Sequence, residues 1–196
     1  MTPPPFALPH APIFWAVYLW AFLPELLILR RAGQRVTTAG SQDRSIRVMT
    51  AGMSAALVFA FPLAFLDAWS FRPELHTPAF IIGVLLIFLG SLIRRWCFRT
   101  LGEYFTGDIQ ARPGQPVIRT GPYDFVRHPS YTGGMLMYLG IGLALCNWLS
   151  VAVLVLTGVA TYAYRVRAEE RLLLGTLGEP YRVYMRERKR FIPYVL

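Results

Sequence analysis

The chain is short of charge. Asp, Glu, Lys and Arg make up only 16% of its 196 residues, while 55% are hydrophobic and the mean hydropathy is +0.41. That balance excludes an ordinary water-exposed surface and fits one domain of an integral membrane protein. Acidic residues are the scarcer sign, 11 against 20 Lys and Arg, for a formal net charge of +9. The basic residues flank apolar runs and build no separate basic domain. Anionic lipid headgroups are therefore the expected partners, and nucleic acid is not. The two cysteines, Cys97 and Cys146, lie in or beside apolar runs with no CxxC pair. Neither a disulfide framework nor a metal site is expected, and the three histidines, His10, His76 and His128, are too scattered to supply one.

What is present is a set of five apolar runs. Residues 1–10 are Pro-rich without Lys or Arg, and read as an irregular lead in place of a signal peptide. The first run is Ile13 to Leu29, interrupted near its end by Pro24 and Glu25, where a kink or an interfacial exit is expected. Val48 to Leu66 is Ala- and Gly-rich and suited to close helix packing. Pro78 to Ile93 is the third run. Tyr131 to Leu145 and Leu149 to Tyr164 are the fourth and fifth, separated so briefly at Asn147 and Trp148 that they predict a tight antiparallel hairpin. Between the third and fourth runs lies a long polar stretch. Its centre predicts a short β-like piece, Pro116 to Arg119, between turn signals.

The arginines set an orientation. The loop after the first run carries Arg30, Arg31, Arg35, Arg44 and Arg47 against Asp43. The next loop is slightly acidic, with Asp67 and Glu74 against Arg72; the long polar stretch and the C-terminal tail are again basic. The positive-inside rule places loops one and three and the tail in the cytoplasm, with the N-terminus outside, consistent with five spans.

Polar chemistry concentrates in Gly121 to Gly134, GPYDFVRHPSYTGG. Pro129 suits the first turn of a helix, so His128-Pro129 reads as a helix entrance, where unpaired N–H groups and a partial positive charge face outward. Gly133 and Gly134 let a helix or a ligand approach the backbone. Such a cluster at the mouth of an apolar helix fits a pocket at a membrane surface, and equally a plain polar loop before a span. Further on, Arg165 and Glu169 stand four apart on one helix face at the end of the fifth run, with Arg167 and Glu170 pointing elsewhere. Taken alone, an arginine there snorkels to headgroups and an i,i+4 pair is a solvated salt bridge. Gly175 and Gly178 mark a helix end, before a second amphipathic segment through Tyr181 and Tyr184.

Three blocks in order, GPYDFVRHPSYTG, LCNW and RVRAEERLLLGTLGEPYRVYMRERKRFIP, resemble the isoprenylcysteine carboxyl methyltransferase family of membrane enzymes, itself similar to the phospholipid N-methyltransferases. The resemblance covers about the last half of the chain. It implies an all-α integral membrane protein of five transmembrane helices with a cytoplasmic-face cofactor pocket formed by the C-terminal half. Residues 1–100 would hold helices 1–3, and 101–196 the methyltransferase region with helices 4–5 and the tail. It implies S-adenosylmethionine as methyl donor, in a pocket lined by Gln115, Pro116, Val117, Ile118, Tyr123, His128, Pro129, Ser130, Tyr131 and Glu169, with Arg165 holding the substrate carboxylate and Arg165 and Glu169 as the catalytic pair. Arg190 and Pro193 also match the end of the family pattern. The family often has His where this chain has Gln115, which removes a titratable group there.

The expected acceptor is the carboxylate of an isoprenylcysteine or similar lipophilic acid. A carboxylate is already ionised at neutral pH and needs no base, whereas an amine would need a route for its proton and gains nothing from Arg165. Phospholipid N-methylation, and a non-catalytic lipid-binding or scaffold protein of the same shape, remain the alternatives. The residues do not name the natural acceptor or the oligomeric state.

Overall fold

A computed structural model describes residues 2–36, 44–105 and 114–191. Among these, the architecture is all helical, with no named strand. Five long helices follow one another: α1 (His10–Val36), α2 (Arg44–Leu63), α3 (Pro73–Leu101), α4 (Pro129–Ala144) and α5 (Trp148–Leu177), with a short amphipathic α6 (Glu179–Glu187) after them. Four are long and apolar enough to cross a membrane: α1 over His10–Leu27, α2, α3 and α5. α4 is apolar after its first turn but has only 16 residues. At about 1.5 Å per residue it is shorter than a bilayer core of roughly 30 Å.

Several boundaries differ from those expected. α1 runs through Pro24 without a break, and α3 continues past Ile93 to Leu101, carrying Arg94, Arg95 and Arg99 as helical residues. Arginine is a good helix former, so the change from apolar to basic marks a change of surroundings and not the helix end. The expected β-like piece at Pro116 to Arg119 is not a strand: residues 115–119 are coil. Pro116 has no N–H to donate to a ladder.

The helix ends follow local rules. Pro129 opens α4 behind His128 as predicted. Asn147 caps α5, its Oδ1 accepting from the backbone N–H groups of Leu149 (3.0 Å) and Ser150 (3.1 Å), while its Nδ2 donates to the Leu66 carbonyl at 3.2 Å. This fully buried cap ties the α4–α5 turn to the α2–α3 turn at one end of the bundle. Gly178, at φ 62°, closes α5 and starts α6.

Packing is closest between α3 and α4. Gly83 faces Gly140 and Gly90 faces Gly133, so the seam repeats every seven residues on both helices. A Cβ on Gly83 would lie 2.5 Å from the Gly140 carbonyl oxygen, and one on Gly140 would lie 2.5 Å from that of Gly83. The backbones themselves are in contact, as small-residue seams between membrane helices permit. The expected close packing of α2 is made against α5, where Met53, Ala56 and Ala60 are buried and Ser150 Oγ donates to the Ala60 carbonyl at 2.7 Å. α1 leans on α3 through Trp20, stacked on Phe88 with ring centroids 4.8 Å apart.

Candidate active site

A cavity of about 660 Å³ opens where α1, α2, α3 and α5 meet the segment 115–131. It has two kinds of wall. Leu19, Phe22, Leu23, Met49, Met53 and Leu57 form an apolar lobe between α1 and α2. The other wall is polar and contains Gln115, Tyr123, His128, Ser130, Tyr131, Arg165 and Glu169.

Every residue predicted for the site lines this one cavity except Pro129, which is buried in the first turn of α4. Pro116, Val117 and Ile118 reach it as coil. The polar wall is held together by side-chain hydrogen bonds. Tyr131 Oη donates to Glu169 Oε2 at 2.7 Å and accepts from Arg165 Nε at 3.3 Å. Arg165 Nη1 donates to Ser45 Oγ at 2.7 Å, which brings α2 to the same group. Arg165 is only 4% exposed. A guanidinium buried in a side-chain network is not snorkelling, because a snorkelling head ends in solvent or headgroups. His128 is also buried; its Nδ1 lies 4.0 Å from Glu169 Oε2, and its Nε2 lies 3.2 Å from Glu170 Oε1.

Glu170 does point away from the cavity, as its helical position predicts, but into a buried cluster. Arg127 Nη2 lies 3.1 Å from its Oε1 and Arg190 Nη2 lies 2.8 Å from its Oε2. The carboxylate beside Arg190 raises that guanidinium above its ordinary range. Backbone bonds extend the clamp: Arg127 N–H donates to the Lys189 carbonyl (2.8 Å) and His128 N–H to that of Arg190 (2.9 Å). Tyr184 Oη donates to the Tyr123 carbonyl at 2.6 Å, and burial pushes its pKa up to about 12, so it remains a donor at physiological pH. The C-terminal segment thus straps the helix entrance in place. In the sequence Glu170 offers only its adjacency to Glu169; its partners lie 20 to 43 residues away, where helix periodicity says nothing.

A second group absent from the sequence reading is Arg94. Its Nε donates to Glu25 Oε2 at 3.0 Å, and its Nη2 pairs with Glu25 Oε1. Its Nη1 donates to the Ser130 carbonyl at 2.9 Å and to Ser130 Oγ at 3.2 Å. Gly133 and Gly134 make room for it. A Cβ on Gly133 would lie 2.9 Å from Arg94 Cγ, and one on Gly134 would lie 3.3 Å from Arg94 Nη1 and strike the Tyr162 hydroxyl. The expected close approach is therefore made at Gly133 by the α3 backbone, where a Cβ would lie 2.8 Å from the Gly90 carbonyl oxygen, and at both glycines by these side chains.

Among the described residues no group of His, Cys, Asp and Glu could hold a metal ion. The polar wall does fit a cationic amino-acid-like ligand: Glu169 supplies a carboxylate and Tyr131, His128 and Ser130 supply hydrogen-bonding groups, beside a lobe that would accept a lipid tail.

A site with a polar wall and an apolar lobe, set among helices long and apolar enough to cross a membrane, defines a class: integral membrane proteins with room for a ligand that is part polar and part apolar. Comparison with known proteins narrows it. Residues 82–175 match the model of the isoprenylcysteine carboxyl methyltransferase family. A probable protein-S-isoprenylcysteine O-methyltransferase of Oryza sativa subsp. indica is 26% identical over 183 residues, covering 90% of this chain and 96% of the relative. The protein-S-isoprenylcysteine O-methyltransferase of Xenopus laevis is 24% identical over 198 residues, covering 95% and 66%. A solved structure of the eukaryotic intramembrane Ras methyltransferase, an isoprenylcysteine carboxyl methyltransferase, superposes with a TM-score of 0.61 at 25% identity, covering 74% of this chain and 52% of that one. The chain thus spans about half the length of that structure. It is similar to the isoprenylcysteine carboxyl methyltransferases over most of its own length, and it is a methyltransferase.

Proposed function

We propose that this chain transfers a methyl group from S-adenosylmethionine to the carboxylate of an isoprenylcysteine or similar lipophilic acid, at the cytoplasmic face of a membrane that it crosses five times. The observation that carries the reading is Arg165, a buried arginine on the wall of a cavity whose opposite lobe is apolar. A guanidinium can orient a carboxylate by two parallel hydrogen bonds, and the lobe between α1 and α2 would take the prenyl tail. The similar proteins from Oryza sativa and Xenopus laevis, protein-S-isoprenylcysteine O-methyltransferases, support the same acceptor.

The donor, when bound, supplies an activated methyl group on a sulfonium. The chain's own residues bind, align and keep water out. Tyr131 orients both Arg165 and Glu169, so acceptor and donor groups are set by one hydroxyl. Glu169, His128 and Gln115 to Ile118 line the same cavity and would hold the donor. Transfer from a sulfonium to a carboxylate forms a C–O bond, breaks a C–S bond and neutralises both charges, leaving a thioether and an ester. It needs no general base. Alignment and exclusion of water then account for most of the acceleration.

Four spans meet the length criterion, and α4 would complete the fifth with its flanking turns. The arginine asymmetry supports a cytoplasmic site. Reporter fusions at Ser70 and at the C-terminus should report opposite sides of the membrane; finding both on one side would overturn the topology.

The chemistry is tested by Arg165→Lys. Lysine keeps the charge and loses the fork. Turnover of a farnesylcysteine analogue should fall roughly ten- to a hundredfold, or about 1.5–3 kcal/mol, while affinity for S-adenosylmethionine changes little. Near wild-type turnover, or methylation of phosphatidylethanolamine in preference to the farnesylcysteine analogue, would overturn the carboxylate assignment. Failure of the purified wild-type chain to bind S-adenosylhomocysteine would count against catalysis by this pocket altogether.

A further inference from the structure

Three cations, Arg94, Arg127 and Arg165, reach the cavity wall that is proposed to receive a donor bearing a sulfonium. Arg127 is answered by Glu170, outside the cavity, and the Arg165 side by Glu169 through Tyr131. Arg94 is answered by Glu25, which comes from α1, 69 residues away in sequence. The pair is bidentate and largely buried, with side-chain exposures of 11% for Arg94 and 17% for Glu25. An intramembrane ion pair is costly to desolvate and carries a functional question by default. Arg94 has a visible role, since it holds the Ser130 carbonyl and hydroxyl in the first turn of α4, next to Tyr131. That role does not explain Glu25, because an arginine could hold Ser130 alone. An uncompensated arginine would, however, leave a positive potential in a low-dielectric cavity meant for a cation.

We infer that Glu25 is a specificity-determining residue of the donor site: by cancelling the charge of Arg94, it lets the cavity accept a cationic methyl donor while Arg94 keeps its grip on Ser130. The inference rests on the proposed use of S-adenosylmethionine. It carries a consequence for turnover. The donor holds one more positive charge than the S-adenosylhomocysteine left behind. A negative group on the wall therefore favours donor over product, and its loss shifts that preference toward the product. Glu25 acts through Arg94 and across the cavity, and no bond to the reacting atoms is required of it.

The test measures affinities of the full chain in detergent for S-adenosylmethionine and for S-adenosylhomocysteine by calorimetry. Glu25→Gln keeps the shape and removes the charge. At a separation on the order of 10 Å and an effective dielectric of about 20, one unit charge changes cation affinity roughly tenfold. Glu25→Gln should therefore lower the donor-to-product affinity ratio about tenfold. The double variant Glu25→Gln/Arg94→Gln should restore the wild-type ratio, even if both affinities fall. A merely structural role would weaken both ligands alike and give no restoration. If Glu25→Gln does not fold, Arg94→Gln alone carries the test with the opposite sign: the unmatched Glu25 should raise the ratio. An unchanged ratio in the foldable single variants, or no restoration in the double, overturns the inference. Wild-type protein that binds neither ligand overturns the donor assignment itself, a result distinct from either.

Discussion

The seam between α3 and α4 and the wall between α1 and α2 are built in opposite ways. At the seam, glycine faces glycine at two levels seven residues apart, and backbone touches backbone. Such a contact has no side chain able to yield. At the wall, Leu19, Leu23, Met49, Met53 and Leu57 line open space, and α1 also reaches the polar wall through the Glu25–Arg94 pair. Methionine and leucine side chains adapt to varied apolar shapes. The rigid half carries His128, Ser130 and Tyr131, whose geometry must be exact for a displacement; the open half faces a tail, which needs only apolar surface. Precision and tolerance are thus assigned to different helix pairs.

The largest effect should come from loosening the rigid half at its strap. Glu170→Ala removes the anion shared by Arg127, His128 and Arg190. Breaking a buried charge cluster in this way costs about 3–5 kcal/mol. The expected outcome is a strongly lowered unfolding midpoint with loss of donor binding. A variant that melts and binds like wild type would show that the strap does not hold the helix entrance. Next in size are His128→Ala and Tyr131→Ala. Each should weaken S-adenosylmethionine binding by about 1–3 kcal/mol through groups left unsatisfied, and unchanged affinity in both, with the fold intact, would remove residues 115–131 from the donor site.

Much of that rigid half is legible in the sequence. Pro129 suits the first turn of a helix and stands just before an apolar run, so the α4 entrance is read there, and Asn147, read as the break between two apolar runs, is found as the α5 cap. Four-residue spacing places Arg165 and Glu169 on one face, and Tyr131 is found between them. What periodicity cannot give is a partner on another helix. Glu25 reads only as an interruption of an apolar run, because its meaning lies in Arg94. Arg94 in turn reads as loop, because basic residues after an apolar run mark the membrane boundary but not the helix end; α3 continues to Leu101. The glycine seam is hidden for a similar reason. Gly83 and Gly90 fall in an ordinary apolar run, and only their register against Gly133 and Gly140 gives them a role.

The seam can be sharpened against a control on α5. Gly140→Ala places a Cβ 2.5 Å from the Gly83 carbonyl oxygen, and only a shift of one helix relieves that overlap. The expected cost is about 1–3 kcal/mol in unfolding free energy. Gly175, also helical, has nothing within 4 Å of an added Cβ. Gly175→Ala should be neutral or stabilising by up to about 1 kcal/mol from helix propensity. Equal effects of the two would mean that α3 and α4 are not in the contact described.

The smallest loss of stability among the site and packing variants is expected in the open half, and its size is what separates the two regions. Leu57→Ala removes three carbons from a side chain that lines the lobe on one side and packs against the core on the other. In a closed core this substitution costs about 2–5 kcal/mol, because a cavity is left behind. Here the space already exists, so only part of the transfer free energy is lost, on the order of 1 kcal/mol. The substitution should act instead on the acceptor. A lobe widened near Leu57 loses contact with the far end of a tail, so kcat/KM should fall more for an analogue with a long prenyl tail than for one with a short tail. Arg165 and Glu169, at the other end of the cavity, are untouched, so S-adenosylmethionine affinity should hold. Unfolding midpoints and kcat/KM for farnesylcysteine and a shorter-tailed analogue would be measured in the same preparation. A loss of about 3 kcal/mol in stability with no change in tail preference would make the α1–α2 wall a packed core like the rest, and the division between a precise half and a tolerant half would fall.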